Sequence, residues 1–289
     1  MAKTITMPTS PNFSMSSFNL IRMVGTTVSP FTGQTKTQEY DAVYWVAELT
    51  LPPMKRAEAT EWQSFFLELN GQTNNFLLGD PSALTNTGTY STSYLEADKR
   101  VNNTSVTLSF SGSTITAGAS TFATARAGDF IHVTGATNEE NNGTHKITSV
   151  TSNTVVVTDS TLTTESNTAS CKVRQNVKGS TGLSLLASTN SATGTIKKGD
   201  YLGVLSAASD TSNPQQLVMV VEDATVTTDS GKDFYSVKTE PKLRSDLTDG
   251  FYVKFTSPKG LFRLTNNEID WRVNTGSFYT MGFSCIEVI

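Results

Sequence analysis

Apolar and polar residues alternate along most of this chain, in short runs separated by Thr, Ser, Asn and Gly, and a two-residue period of that kind predicts strands. The alternation is clearest over 38–51. There Val43, Trp45, Ala47, Leu49 and Leu51 share one face, and Tyr40, Ala42, Tyr44, Val46, Glu48 and Thr50 share the other. The first set reads as the core side. Residues 17–24 also suit a strand, and Ser29-Pro30 opens a loop after it, because proline fixes φ and donates no hydrogen bond. Past Pro52-Pro53 the period changes. Met54, Glu58, Trp62, Phe65, Phe66 and Leu69 recur at helical spacing, with Gly71 as a stop signal, which predicts a helix over 54–70 with Glu58 at the edge of its apolar stripe. A strand over 75–78 follows, halted by Gly79-Asp80-Pro81.

Short strands dominate the rest. Candidates are 105–110, 130–134, 144–150, 154–158 and 169–174, with Asn142-Gly143 as the clearest turn signal. Residues 85–92 and 179–194 read as Thr/Ser/Gly-rich connections, the second holding an apolar island of Leu183, Leu185 and Leu186. Further strands are expected over 201–205, 216–221, 234–239, 251–255, 260–264, 268–273 and 278–288, with one helical turn within 241–249. The segment Gly128-Asp129-Phe130-Ile131-His132-Val133 is echoed by Gly199-Asp200-Tyr201-Leu202-Gly203-Val204, either by duplication or by reuse of one turn solution, the second being preferred. The apolar content of 283–289 predicts a paired strand, and pairing with an N-terminal strand would close a barrel from both ends of the chain. The expected fold is therefore mainly β: a split β-barrel or sandwich with one packed α-helix, plus an inserted small β-barrel domain. Its expected division is 1–84 for the N-terminal part of the outer domain, 85–178 for the insertion and 195–289 for the C-terminal part of the outer domain.

Composition narrows the function more than the fold. The 289 residues carry a net charge of -4, and only 17% are charged, so Thr, Ser, Asn and Gln must supply the polar surface. An acidic balance argues against a dedicated nucleic-acid binder, which needs clustered Lys and Arg. The two cysteines, Cys171 and Cys285, could form a disulfide, but two buried thiols are the favoured reading. Residues 1–12 lack the charged start and apolar core of a secretory signal, and no apolar run reaches the roughly 20 residues of a membrane helix, so cytoplasmic synthesis and no membrane insertion are expected.

The search for chemistry returns little. The chain has no GxSxG, P-loop, GxGxxG, CxxC or HExxH signature. His132 and His145 could approach across a hairpin near Glu139 and Glu140, yet two ordinary strand residues explain them more simply. Asn138, Glu140, Asn142 and Gly143 imitate the start of a calcium loop, but Ser149 stands where the bidentate Glu belongs. Asp80, Asp129 and Asp200 each follow Gly, which turn chemistry accounts for without catalysis. Lys99-Arg100 and Lys197-Lys198 read as solvated turns. Tyr90, Tyr94, Tyr201 and Tyr279 could make a sugar-binding platform, with core or interface roles favoured. No catalytic residue, cofactor or metal site is expected.

One resemblance gives the chain a context. The ordered series Ser29-Pro30-Phe31-Thr32-Gly33-Gln34, Tyr44-Trp45, Leu51-Pro52-Pro53-Met54, Ala59 to Trp62, Phe65-Phe66, Leu69-Asn70-Gly71 and Phe76-Leu77-Leu78-Gly79-Asp80-Pro81 resembles the N-terminal part of distal tail (tail-hub) proteins of long-tailed bacteriophages and related gene transfer agents. Pro258-Lys259-Gly260-Leu261-Phe262-Arg263-Leu264, Asn267-Glu268, Trp271 and 283–288 resemble their C-terminal end, and 128–157 is similar to a small β-unit inserted in phage virion proteins. The resemblance implies a β-barrel domain forming a hexameric ring at the tail tip, joining the tail tube to the hub and fibre proteins, with DNA passing through unbound. It carries no catalytic residues over. The Thr/Ser-rich insertion departs from a minimal ring subunit and could contact a host glycan. Candidate interface residues are Phe31, Gln34, Tyr40, Tyr44, Arg263 and Trp271. The alternatives are a tail adaptor or minor tail protein at another tail position, or a carbohydrate-binding β-module for attachment to the host surface.

Overall fold

The computed structural model describes residues 2–90, 93–187, 194–208, 214–229, 231–247 and 250–289. The chain forms two compact units: an outer one made of Met1–Leu84 with Ser257–Ile289, and an inserted one, Thr85–Thr256. It enters the outer unit with β1 (Thr4–Ile5), β2 (Met15–Val28), β3 (Thr35–Thr50), α1 (Arg56–Leu69) and β4 (Asn75–Leu78). The inserted unit holds β5 (Tyr94–Ala97), β6 (Asn102–Ala117), β7 (Phe130–Thr134), a 3-10 turn (Glu139–Asn141), β8 (Gly143–Ser152), β9 (Val155–Arg174), β10 (Gly182–Ala187), β11 (Thr195–Ile196), β12 (Tyr201–Ala208), β13 (Pro214–Val220), β14 (Ala224–Asp229), β15 (Lys232–Glu240) and β16 (Phe251–Lys254). The chain returns to the outer unit with β17 (Gly260–Leu264), β18 (Trp271–Val273) and β19 (Tyr279–Glu287). Strand outweighs helix, 54% to 6%.

The outer unit is one sheet in the order β1-β4-β17-β19-β3-β2, with β18 continuing the line of β17 along β19. Strands from both ends of the chain do share it, through the pairing of β19 with β3 from Gly282↔Thr50 to Ile286↔Val46. The described pairings leave it open rather than closed. One face packs against α1. The helix buries Ala59, Trp62, Phe65, Phe66 and Leu69, as its apolar spacing dictates. Phe66 meets Phe283 at 5.1 Å between ring centroids, and Phe65 meets Phe76 edge-on at 5.5 Å. The helix starts two residues later than expected. Met54 is spent in an isolated bridge to Tyr279, and Glu58 caps the first turn by accepting from the Lys55 N–H at 3.3 Å. Asn70 and Gly71 end it in left-handed backbone.

The inserted unit contains two closed barrels, of five and six strands. In the smaller, β9 is used twice. Its C-terminal end pairs β7, its N-terminal end pairs β8, and β6 runs along its whole length, so four strands close a five-stranded ring. The larger runs β10-β5-β16-β12-β13-β15 and closes through the β10–β15 pairing, Gly182↔Lys238 to Ala187↔Asp233. The expected division placed 195–289 in the outer domain and ended the insertion at 178. The structure corrects both limits. Tyr94↔Lys254 and Gly203↔Lys254 bind β5, β16 and β12 into the second barrel, so the insertion extends to Thr256. Other elements differ too. Residues 154–158 and 169–174 fuse into the single strand β9, which bends through five register shifts against β6. The apolar island of Leu183 and Leu185 is strand β10, and residues 241–247 contain no helix. Residues 91–92, 188–193 and 248–249 of the expected connections and turn lie outside the described residues.

Candidate interaction surface

The hairpin of β2 and β3 outruns the sheet that carries it. β2 pairs β3 from Met15↔Thr50 to Val28↔Thr35, but β19 reaches β3 only over Val46–Thr50. The distal half is thus a two-stranded arm, and such a ribbon is marginal in water without further packing. Residues 30–40 are all exposed. A break in register between Arg22 and Val24 marks the middle of the hairpin. Beyond it Val24, Thr26 and Val28 follow one face, while Tyr40 lies over Gly25 on the other, where an added Cβ would sit 3.2 Å from the phenol ring. A glycine covered by a cross-strand aromatic ring keeps the ribbon twisted and in register. The outer edge of β2 is the last in the sheet, so its free backbone groups are exposed as well.

The arm ends in a turn that holds itself together. Ser29 N–H donates to the Gln34 carbonyl and Gly33 N–H to the Ser29 carbonyl, both at 2.9 Å. Thr32 N–H donates to Ser29 Oγ at 3.3 Å. Phe31 projects from this turn 95% exposed, an unusual position for a large apolar ring.

Of the six expected interface residues, the structure gathers Phe31, Gln34 and Tyr40 on the arm, with Tyr40 half-exposed. Tyr44 sits at the root, opposite Ile21 and only partly covered. Arg263 is exposed on β17 opposite Ile286, which stands opposite Val46, so strand alternation places it on the same sheet face as Tyr44. Trp271 is exposed on β18 opposite Met281, and alternation along β19 places it on the other face. The interface set is therefore not one patch. The length of the arm was not foreseen, although Thr-rich segments on both sides of Ser29-Pro30 are the signal that marks it.

The other candidate groups are absorbed by local structure. Asp80 accepts from Ser82 N–H at 2.9 Å. The carboxylates of Asp129 and Asp200 each accept from the N–H three residues earlier, at 2.9 and 3.1 Å, and Gly128 and Gly199 share φ near +90°. In each turn the glycine N–H donates to the partner strand, and that partner residue donates back to the aspartate carbonyl. The sequence echo is thus one turn built twice, each time opening a barrel strand. Lys197 pairs with Asp223, but Arg100 overturns the reading of its pair as solvated. Its side chain is 5% exposed and bonded to Asp129, with the guanidinium 4.1 Å above the Phe234 ring. The loop that imitates a calcium site is instead organised by Glu165, which accepts from the N–H groups of Thr137 and Asn138 and from the Asn141 amide. These donors, with Thr168, hold its carboxyl down at about 2 against the cost of burial. Among the described residues no group of three or more His, Cys, Asp or Glu is placed to hold a metal ion. The tyrosines are dispersed in role: Tyr201 is buried, and Tyr90 packs on Tyr235 and Phe255. Cys171 and Cys285 are free and buried.

His132 and His145 lie on adjacent strands. His132 Nδ1 meets Thr144 Oγ1 at 3.1 Å, and His145 bridges Ser160 and the Asn141 carbonyl. Burial first, then the neighbouring His145, Arg174 and Lys242, with Asp246 opposing, lowers the His132 pKa to about 4. A histidine depressed in the folded state contributes stability above its unfolded pKa near 6.5 and loses it as pH falls through the folded value. The inserted unit is expected to lose on the order of 3 kcal/mol between pH 6.5 and 4 from this group. Denaturant titrations at both pH values should show that loss, and a smaller one in His132→Gln.

No family model matches the chain, and no curated protein matches it.

Proposed function

We propose that this chain is a non-enzymatic structural protein of a phage virion, a subunit of the distal tail ring that joins the tail tube to the hub and fibre proteins. The observation that carries the reading is the arm: a long two-stranded ribbon with an unpaired edge and exposed apolar side chains, attached to a sheet that α1 backs on one face. An edge of that length is an aggregation hazard in a free monomer and an interface in an assembly. Six copies in head-to-tail contact close a ring without leaving an edge unused. The ordered resemblance of 29–81 and 258–288 to distal tail proteins supplies the tail context. A net charge of -4 suits a surface past which DNA moves without sticking. In this reading the protein is made in the host cytoplasm and ends in the virion.

Light scattering on the purified chain tests the assembly. The mass should rise with concentration toward six chains. A single-chain mass at every concentration, together with a specific sugar ligand on a glycan array, would favour the carbohydrate-binding alternative instead.

A further inference from the structure

We propose that the Phe31 tip of one copy seats in an apolar cleft beside α1 of the next copy. The inference rests on the assembly reading above and names the contact through which it works.

The cleft lies where the N-terminal strap, residues 7–13, crosses the helix and β4. It encloses about 350 Å³ and is walled by Pro8, Pro11, Phe13, Trp62, Leu78 and Leu84, with Lys259 at its border. Two contacts tie the strap to the helix. Trp62 Nε1 donates to the Ser10 carbonyl at 3.2 Å, and Phe13 packs edge-on to the indole at 5.6 Å. An aromatic ring entering such a space loses water from an apolar face.

The other half of the contact is equally prepared. The 29–34 turn is bonded internally, so the backbone that carries Phe31 has less freedom to lose on docking. An exposed aromatic ring at the tip of a projection can serve as the kind of anchor that dominates an interface once it is seated in a pocket. The arm behind it supplies roughly twenty residues, the number one partner gives to an interface of standard size.

Sheet order decides the occupant. The cleft borders β4, next to one edge of the sheet, and the arm continues β2 at the opposite edge. Knob and hole thus lie at opposite ends of one sheet. The contact is intermolecular and head-to-tail, and each copy that donates a tip leaves its own cleft free for another. Repetition of one such contact gives a closed ring or a filament, and a closed ring is the form proposed here.

Two readings on the full chain test the contact. Phe31→Ala should weaken association about 30-fold or more by light scattering, as loss of an anchor residue does. Phe31 is fully exposed, so the fold should be unchanged. A Phe31→Cys chain mixed with a Leu84→Cys chain should form an inter-chain disulfide under mild oxidation, at a yield that neither chain reaches alone. If the wild-type chain assembles, while Phe31→Ala assembles equally well and no mixed disulfide forms, this contact is wrong and the assembly reading stands. If the wild-type chain never assembles, both are wrong.

Discussion

Removal of residues 280–289 should abolish folding of the outer unit. The deletion takes almost all of β19, which lies between β17 and β3 and joins the β1-β4-β17 side of the sheet to the β3-β2 hairpin. It also removes Met281 and Cys285 from the core, and Phe283 from contact with Trp62, Phe66 and Phe76. Glu287, which accepts the Trp45 N–H at 3.3 Å, goes as well. Losing two aromatic or aliphatic core side chains costs about 4–10 kcal/mol, comparable to the whole stability of a domain. The readout is clean, because all three tryptophans, Trp45, Trp62 and Trp271, belong to the outer unit. Their emission should shift to that of water-exposed indole, and protease should cut within 1–84. A truncated chain with native tryptophan emission and a cooperative melt would show that β19 is dispensable.

Replacing Arg100 by Leu should destabilise the inserted unit by about 3–5 kcal/mol. Arg100 and Asp129 are both nearly inaccessible, and Ser236 Oγ adds a third bond to the same carboxylate at 2.8 Å. That bond links β15 of the larger barrel to the turn that opens β7 of the smaller, so the cluster fastens one barrel to the other. Burial already pushes the Asp129 carboxyl above its ordinary pKa, with Arg100 the main opposing influence. Without the guanidinium the carboxyl keeps only the weaker influence of Arg126 against the cost of burial, and the cation–π contact with Phe234 is lost too. The double variant Arg100→Leu, Asp129→Asn should recover about half of the loss, because no unpaired charge remains. Chemical denaturation followed by hydrogen exchange within 94–254 measures both. A cost below about 1 kcal/mol for the single variant would show that the pair is not a structural fastening.

Local pattern carried the elements and not their assembly. The helix was legible because Trp62, Phe65, Phe66 and Leu69 fall at helical spacing between a proline pair and a glycine. The strands 75–78, 130–134 and 260–264 were legible because apolar residues sit beside Gly79-Asp80, Gly128-Asp129 and Pro258-Lys259-Gly260. Membership of 195–256 was not legible. Its strands have the same composition as those of the outer unit, and only pairings between distant residues, such as Tyr94 with Lys254, decide where they belong. The burial of Arg100 was hidden for the same reason, since its partners stand 29 and 134 residues away in sequence. At the interaction surface, Phe31 and Tyr40 were legible as aromatics in a polar, turn-flanked stretch. The apolar cleft was not, because it is assembled from the N-terminal strap, α1, β4 and Lys259. The Gly-Asp echo was visible as letters, and the structure adds that the repeated letters encode a repeated set of hydrogen bonds.

The most direct test of the account is gold labelling of this chain on intact phage particles, viewed by electron microscopy. Label confined to the far end of the tail, as a ring between tube and fibres, is the predicted result. Label along the tail shaft, at the head or absent from the particle would contradict it.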